Sequence, residues 1–166
     1  MELSHTHHYA ASPTEVQQML TDRAFREQVC ERQHALSHEV TVTGTGPGAE
    51  VVVRQTQGMA GAPAVATKLT GDTVALEQRE VWRSSTAADL SISLPGKPVE
   101  LRDGRVTLTE RPDGGCDQVV SGDLRVKVPL VGGKLESLLS DVLRAGMRRQ
   151  AEVGDAWLAG SWPARD

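Results

Sequence analysis

Along the last third of the chain the apolar or small residues recur in threes and fours: Leu135, Leu138, Leu139, Val142, Leu143, Gly146, Met147, Gln150, Val153, Gly154 and Trp157. This spacing sets them on one face of a helix, with Glu136, Asp141, Arg144, Arg148, Arg149 and Glu152 on the solvated side. The pattern predicts one helix over residues 134–159, about 39 Å long at roughly 1.5 Å per residue, enough to lie across a whole sheet. Pro129 and Gly132-Gly133 precede it, where a strand ending Val126-Lys127-Val128 must turn, and Pro163 marks its other limit.

Residues 3–10 alternate in polarity and read as a strand. Ser12-Pro13-Thr14-Glu15 then supplies an N-cap, a first-turn proline and a capping-box glutamate, so a helix starts at Pro13 with Val16, Met19 and Leu20 on its apolar face. Thr21-Asp22 restarts a second helix that carries Phe25 and Val29 and turns Arg26 and Arg32 outward. From Ala35 the chain becomes rich in Val and Thr with glycine-containing breaks, the signature of antiparallel hairpins. Strands are predicted at 36–44, 50–57, 72–83, 87–94, 99–111 and 116–128, and residues 59–69 form a short helix or a loop. Asp103-Gly104 marks a bulge or a tighter turn inside the penultimate run. The order is strand, two short helices, about six antiparallel strands and one long helix, an α+β arrangement with the helices on one face of the sheet. A curved sheet around one helix leaves a concave space of the kind that small molecules occupy.

Composition narrows the partners. The 166 residues make one domain, with a core at about 2–159 and a tail at 160–166. The net charge of −4 comes from interspersed acids and argues against a nucleic-acid partner, and the arginines at 144, 148 and 149 read as a solvated face. No apolar stretch approaches the roughly 20 residues of a spanning helix, and residues 1–5 lack a basic leader, so a soluble, cytoplasmic protein without stable membrane insertion is expected. Cys30 and Cys116 have no metal-ligand spacing and read as reduced thiols. No cofactor is implied, and the oligomeric state is open.

Two runs, Tyr9-Ala10-Ala11-Ser12-Pro13-Thr14-Glu15-Val16 and Val126-Lys127-Val128-Pro129-Leu130-Val131-Gly132-Gly133-Lys134-Leu135-Glu136, together with the element order, resemble the START-like or SRPBCC superfamily, Bet v 1-like and polyketide cyclase-like proteins included. The chain is most similar to a bacterial branch with no assigned function. The resemblance implies the helix-grip fold, with a curved sheet of six or seven strands wrapped around the C-terminal helix and a cavity between them. Superfamily members bind lipids, polyketides or plant hormones, and some are cyclases, aromatases or activators of a chaperone ATPase. One Phe, one Tyr and three Trp would make the cavity here mainly aliphatic. The iron–sulfur ligands of the ring-hydroxylating branch are missing.

Candidate chemistry is sparse. His5-Thr6-His7-His8 invites a metal reading, but two ligands on one strand face are too few and nothing brings His34 or His38 to them, so no metal site is expected. If Tyr9 faces the core, so do His5 and His7, which makes them weak candidates for acid–base work. Glu80 shares a strand face with Trp82, Gln78 and Leu76; if that face is inward, Glu80 is a buried carboxylate that needs a proton or an arginine. Gly132-Gly133-Lys134 lacks the remaining residues of a phosphate loop and reads as a strand-to-helix turn. No Gly-x-Ser-x-Gly elbow occurs. The leading expectation is a binding module for a small hydrophobic molecule such as a lipid, isoprenoid or polyketide. Its walls are expected at Leu90, Ile92, Leu124, Val126, Leu139, Leu143 and Met147, with Tyr9 and Trp82 as aromatic contacts. A cyclase, dehydratase or hydrolase and a protein-interaction module with a filled core are the alternatives.

Overall fold

The computed structural model describes residues 1–161, so Pro163 and most of the expected tail lie outside the described residues. The elements follow as β1 (Glu2–Tyr9), α1 (Pro13–Leu20), α2 (Arg23–Arg32), β2 (Ser37–Thr43), β3 (Glu50–Gly58), α3 (Ala64–Thr70), β4 (Thr73–Trp82), β5 (Ala87–Ser93), β6 (Val99–Glu110), β7 (Cys116–Val126) and α4 (Gly132–Leu158). The strands form one antiparallel sheet in the order β1-β7-β6-β5-β4-β3-β2. This is the helix-grip α+β arrangement. The chain crosses from one sheet edge to the other through α1 and α2, and α4 returns over the concave face.

Local chemistry sets the boundaries. The Ser12 hydroxyl accepts from the Glu15 amide at 3.2 Å, and the Asp22 carboxylate accepts from the Ala24 and Phe25 amides at 2.8 and 3.3 Å, so each short helix opens on a side-chain cap. Strand β7 stops at Val126, two residues before the expected end, because Pro129 cannot donate to a ladder. Gly132 and Gly133 form the first turn of α4 rather than the turn before it. The helix is closed just past its end by Gly160, whose φ of +71° most side chains resist. The Gly160 amide donates to the Trp157 carbonyl and the Ser161 amide to that of Ala156, a Schellman closure reached before Pro163.

Sheet curvature has one visible device. Between Arg102 and Arg105, β6 advances three residues while β7 advances two, and β6 carries one residue more than β5 between their pairings Leu90↔Gly104 and Ser93↔Glu100. The extra residue is a bulge at Asp103-Gly104, where a bulge bends and twists the strand. Asp103 adopts φ +52°, and a Cβ on Gly104 would lie 2.1 Å from the Leu90 carbonyl oxygen, so only glycine allows the strands to approach there.

Helix α4 sits close to β1. A Cβ on Gly154 would meet the Tyr9 ring at 2.7 Å and its hydroxyl at 2.8 Å, which explains a glycine inside a long helix. Glycine normally costs about 1 kcal/mol there relative to alanine; here the close contact outweighs that cost. Gly154→Ala is therefore expected to lower stability by about 1–3 kcal/mol through overpacking. Gly133→Ala, whose Cβ meets nothing within 4 Å, should leave stability unchanged or raised. Thermal melts of the two variants beside the parent test this, and a stabilised Gly154→Ala would contradict the packing argument.

Candidate functional site

The inward face of β4 carries Val74, Leu76, Gln78, Glu80 and Trp82 in strict alternation, and β5 sets Leu90 and Ile92 opposite Glu80 and Gln78. Val106, Val120 and Val126 continue this apolar wall on β6 and β7, while Leu135, Leu139, Leu143 and Met147 face it from α4. Between them lies a cavity of about 520 Å³, inside the roughly 300–1,000 Å³ typical of small-molecule sites. Its rim is residues 58–63, α3 and the outer edge of α4, where Val142 is 63% exposed and Arg149 is also exposed. Val142, which the helical spacing assigns to the buried stripe, stands instead at the mouth.

The inner wall is polar. Glu80 is fully buried, and an Nη2 hydrogen of Arg26 is donated to its Oε2. Arg26 does not face outward as the sequence pattern predicts; it is as deeply buried as Glu80. Its Nε donates to the Leu20 carbonyl at 2.7 Å, and Nη1 reaches Gln150 Oε1 on α4 at 3.5 Å. The pair thus satisfies the condition that an inward Glu80 imposed, and it joins α2, β4 and α4.

Six glutamines line the cavity: Gln33, Gln55, Gln57, Gln78, Gln118 and Gln150. Three of them form a relay in which Gln57 donates to Gln55 at 2.7 Å, Gln55 to Gln33 at 3.2 Å and Gln33 to the Gly146 carbonyl at 2.9 Å. The relay fastens β3, through the C-cap of α2, to the middle of α4 at the Gly146 carbonyl. Gln55 and Gln57 could have been read from their i, i+2 spacing on the strand, which puts them on one face; the convergence of the others is tertiary.

The remaining sequence candidates lie elsewhere. Tyr9, Trp82 and Leu124 are wholly buried in the core and do not line the cavity; at Tyr9 the close approach of α4 through Gly154 fills the space beside the ring. His5 and His7 face α4 from β1, on the flank of the helix away from the cavity. His7 Nε2 lies 3.0 Å from Asp155 Oδ1, and its ring meets Tyr9 edge-on at 4.5 Å. Burial pushes the His5 imidazole below its ordinary value, helped by the positive fields of His7, Arg148 and Arg144. Both cysteines are buried free thiols; desolvation raises Cys30 to about 11 and Cys116 in the same direction, which leaves them unreactive at neutral pH. Among the described residues no three His, Cys, Asp or Glu side chains converge as metal ligands. No helix there is long and apolar enough to cross a membrane.

A family model described as "Protein of unknown function (DUF2505)" matches residues 4–158. No curated protein matches the sequence. Among solved structures, TTHA0849 from Thermus thermophilus superposes with a TM-score of 0.64 at 15% identity, over 98% of this chain and 99% of its own. The Zhui aromatase/cyclase from Streptomyces gives 0.64 at 12%, over 99% and 96%. Ara h 8.0201 gives 0.60 at 15%, over 93% and 97%. At such identities the likeness establishes the START-like fold and nothing about ligand or chemistry.

Glu80→Leu should destabilise the protein by about 3–5 kcal/mol in urea unfolding, because it strands the Arg26 guanidinium in the core. Adding Arg26→Met should restore most of that loss, and a double variant no more stable than the single one would contradict the pairing. Acidification has a defined sign at His5. The folded state holds its imidazole neutral more strongly than the unfolded chain does, so stability is present above the ordinary value of 6.5 and is lost as pH falls below it. His5→Gln should flatten the fall in Tm between about pH 7 and about pH 5; an unchanged slope would assign it to other groups.

Proposed function

The chain belongs to the DUF2505 family, and we propose that it is a binding protein for a small, largely aliphatic molecule held between the sheet and α4. The observation that carries this reading is the cavity itself, walled by aliphatic side chains of β5, β6, β7 and α4 and open at a rim of small and apolar residues. A filled-core interaction module does not fit a cavity of this size. Acid–base catalysis inside it has little support either, since the histidines lie outside and Glu80, its one lining carboxylate among the described residues, is engaged by Arg26. A general base needs its carboxylate free to reach a substrate proton.

Leu90, Ile92, Val126, Leu139, Leu143 and Met147 are the wall contacts on this reading. Tyr9, Trp82 and Leu124 act behind them as packing. Binding to a preformed apolar pocket should also raise stability by mass action, in proportion to the logarithm of ligand concentration over Kd.

Native mass spectrometry of freshly purified protein, beside the same sample denatured, should show an added mass that disappears on denaturation, or uptake of straight-chain amphiphiles by the bare protein. Leu139→Trp, which places a large ring in the cavity from a half-buried position, should abolish uptake while far-UV circular dichroism stays unchanged. Equal uptake by this variant and the parent would move the binding site elsewhere.

A further inference from the structure

Gln118 separates itself from the other cavity glutamines. It is 5% exposed, it faces the cavity from β7, and its side-chain amide forms no hydrogen bond among the described residues. Gln33, Gln55 and Gln57 are spent on the relay to α4, and Gln150 and Gln78 lie beside the Arg26–Glu80 pair at 3.5 Å. A buried amide is normally satisfied, and an amide left unpaired beside a cavity invites a partner from whatever fills it. The wholly buried polar atoms without partners among the described residues are Tyr9 Oη, Trp82 Nε1 and Ser140 Oγ, and none of their residues touches the cavity; the Gln118 amide differs from them in remaining accessible from the cavity.

Charge completes the argument. At the buried end the only formal charge lining the cavity among the described residues is Glu80, and Arg26 behind it cancels that charge. Arg149, the one lining cation among the described residues, is at the exposed rim in contact with solvent. A carboxylate pushed inward would lose its hydration beside Glu80 with no free cation to meet it. A pure hydrocarbon would occupy the walls but strand the Gln118 amide. Resting on the binding function proposed above, we infer that the ligand is an uncharged amphiphile carrying a hydroxyl, carbonyl or amide at its inner end, and that Gln118 is its specificity-determining contact. The Gln118 Nε2 hydrogens donate to the ligand oxygen, and Oε1 accepts from a ligand hydroxyl or amide hydrogen. The aliphatic remainder lies along Leu90, Ile92, Leu139 and Leu143 toward the rim.

The test compares decanol, decanamide and decanoate by titration calorimetry against the full chain and Gln118→Leu at neutral pH. The parent should bind decanol and decanamide more tightly than decanoate. Gln118→Leu should weaken decanol and decanamide by about fivefold, the equivalent of about 1 kcal/mol for one hydrogen bond, and leave decanoate unchanged or improved. The ligand-free variant should melt at the same temperature as the parent or higher, because a leucine of similar size replaces an amide that has no partner in the fold. A lower melting temperature would mean that Gln118 has a structural partner and would overturn the inference. Tighter binding of decanoate than of decanol by the parent, or equal decanol affinity in the two proteins, would also overturn it. If the parent takes up none of the three, the binding function itself fails.

Discussion

The ion pair between Arg26 and Glu80 is the interaction on which the arrangement of the molecule turns. Both groups are at the centre of the fold, where an isolated charge would be costly and a paired one is tolerable only with further hydrogen bonds. Arg26 supplies them by also contacting the Leu20 carbonyl and Gln150. In doing so it fixes the short helices to β4 at one end and to α4 at the other. The same pair sets the cavity's inner limit. On its far side the inward face of the sheet is packed by Trp82, Tyr9 and the residues of α1, and on its near side the walls stand apart.

Elements governed by local chemistry could be read from the sequence. The caps at Ser12 and Asp22, the bulge at Asp103-Gly104 and the long amphipathic α4 depend on residues within a few positions of one another. Inward alternation on β4 was legible too, and it posed the question of what Glu80 pairs with. The answer was available in part. Phe25, Arg26, Val29 and Cys30 are the buried residues of α2, so Arg26 lies on the apolar stripe, one turn before Cys30. Treating arginine as solvent-seeking concealed it. The position of Val142 was hidden for a different reason: helical spacing identifies a face but does not say where along that face the sheet curves away.

The candidate site was less legible because a cavity is defined by what fails to meet. Tyr9, Trp82 and Leu124 are all buried, yet they pack into the filled core, whereas Leu76, Leu90 and Ile92 face open space. No pattern within a strand distinguishes the two. Glutamine adds a second difficulty, since it is ordinary on surfaces and here gathers from α2, β3, β4, β7 and α4 around one space.

The three glutamines in the relay and the unpaired Gln118 illustrate opposite uses of the same side chain. Within the relay the amides donate and accept in turn, so burial costs little and the contacts hold α4 at a fixed distance from β3. That spacing matters because a helix free to settle onto the sheet would close the cavity over its aliphatic walls. Gln118 adds nothing comparable to the fold. A sequence selected for stability alone would place an apolar residue there, beside Val120 and opposite Leu108. Keeping an amide at that position makes physical sense when the cavity is to be filled by a molecule with an oxygen to offer, which ties a polar choice in the wall to selectivity in the occupied protein.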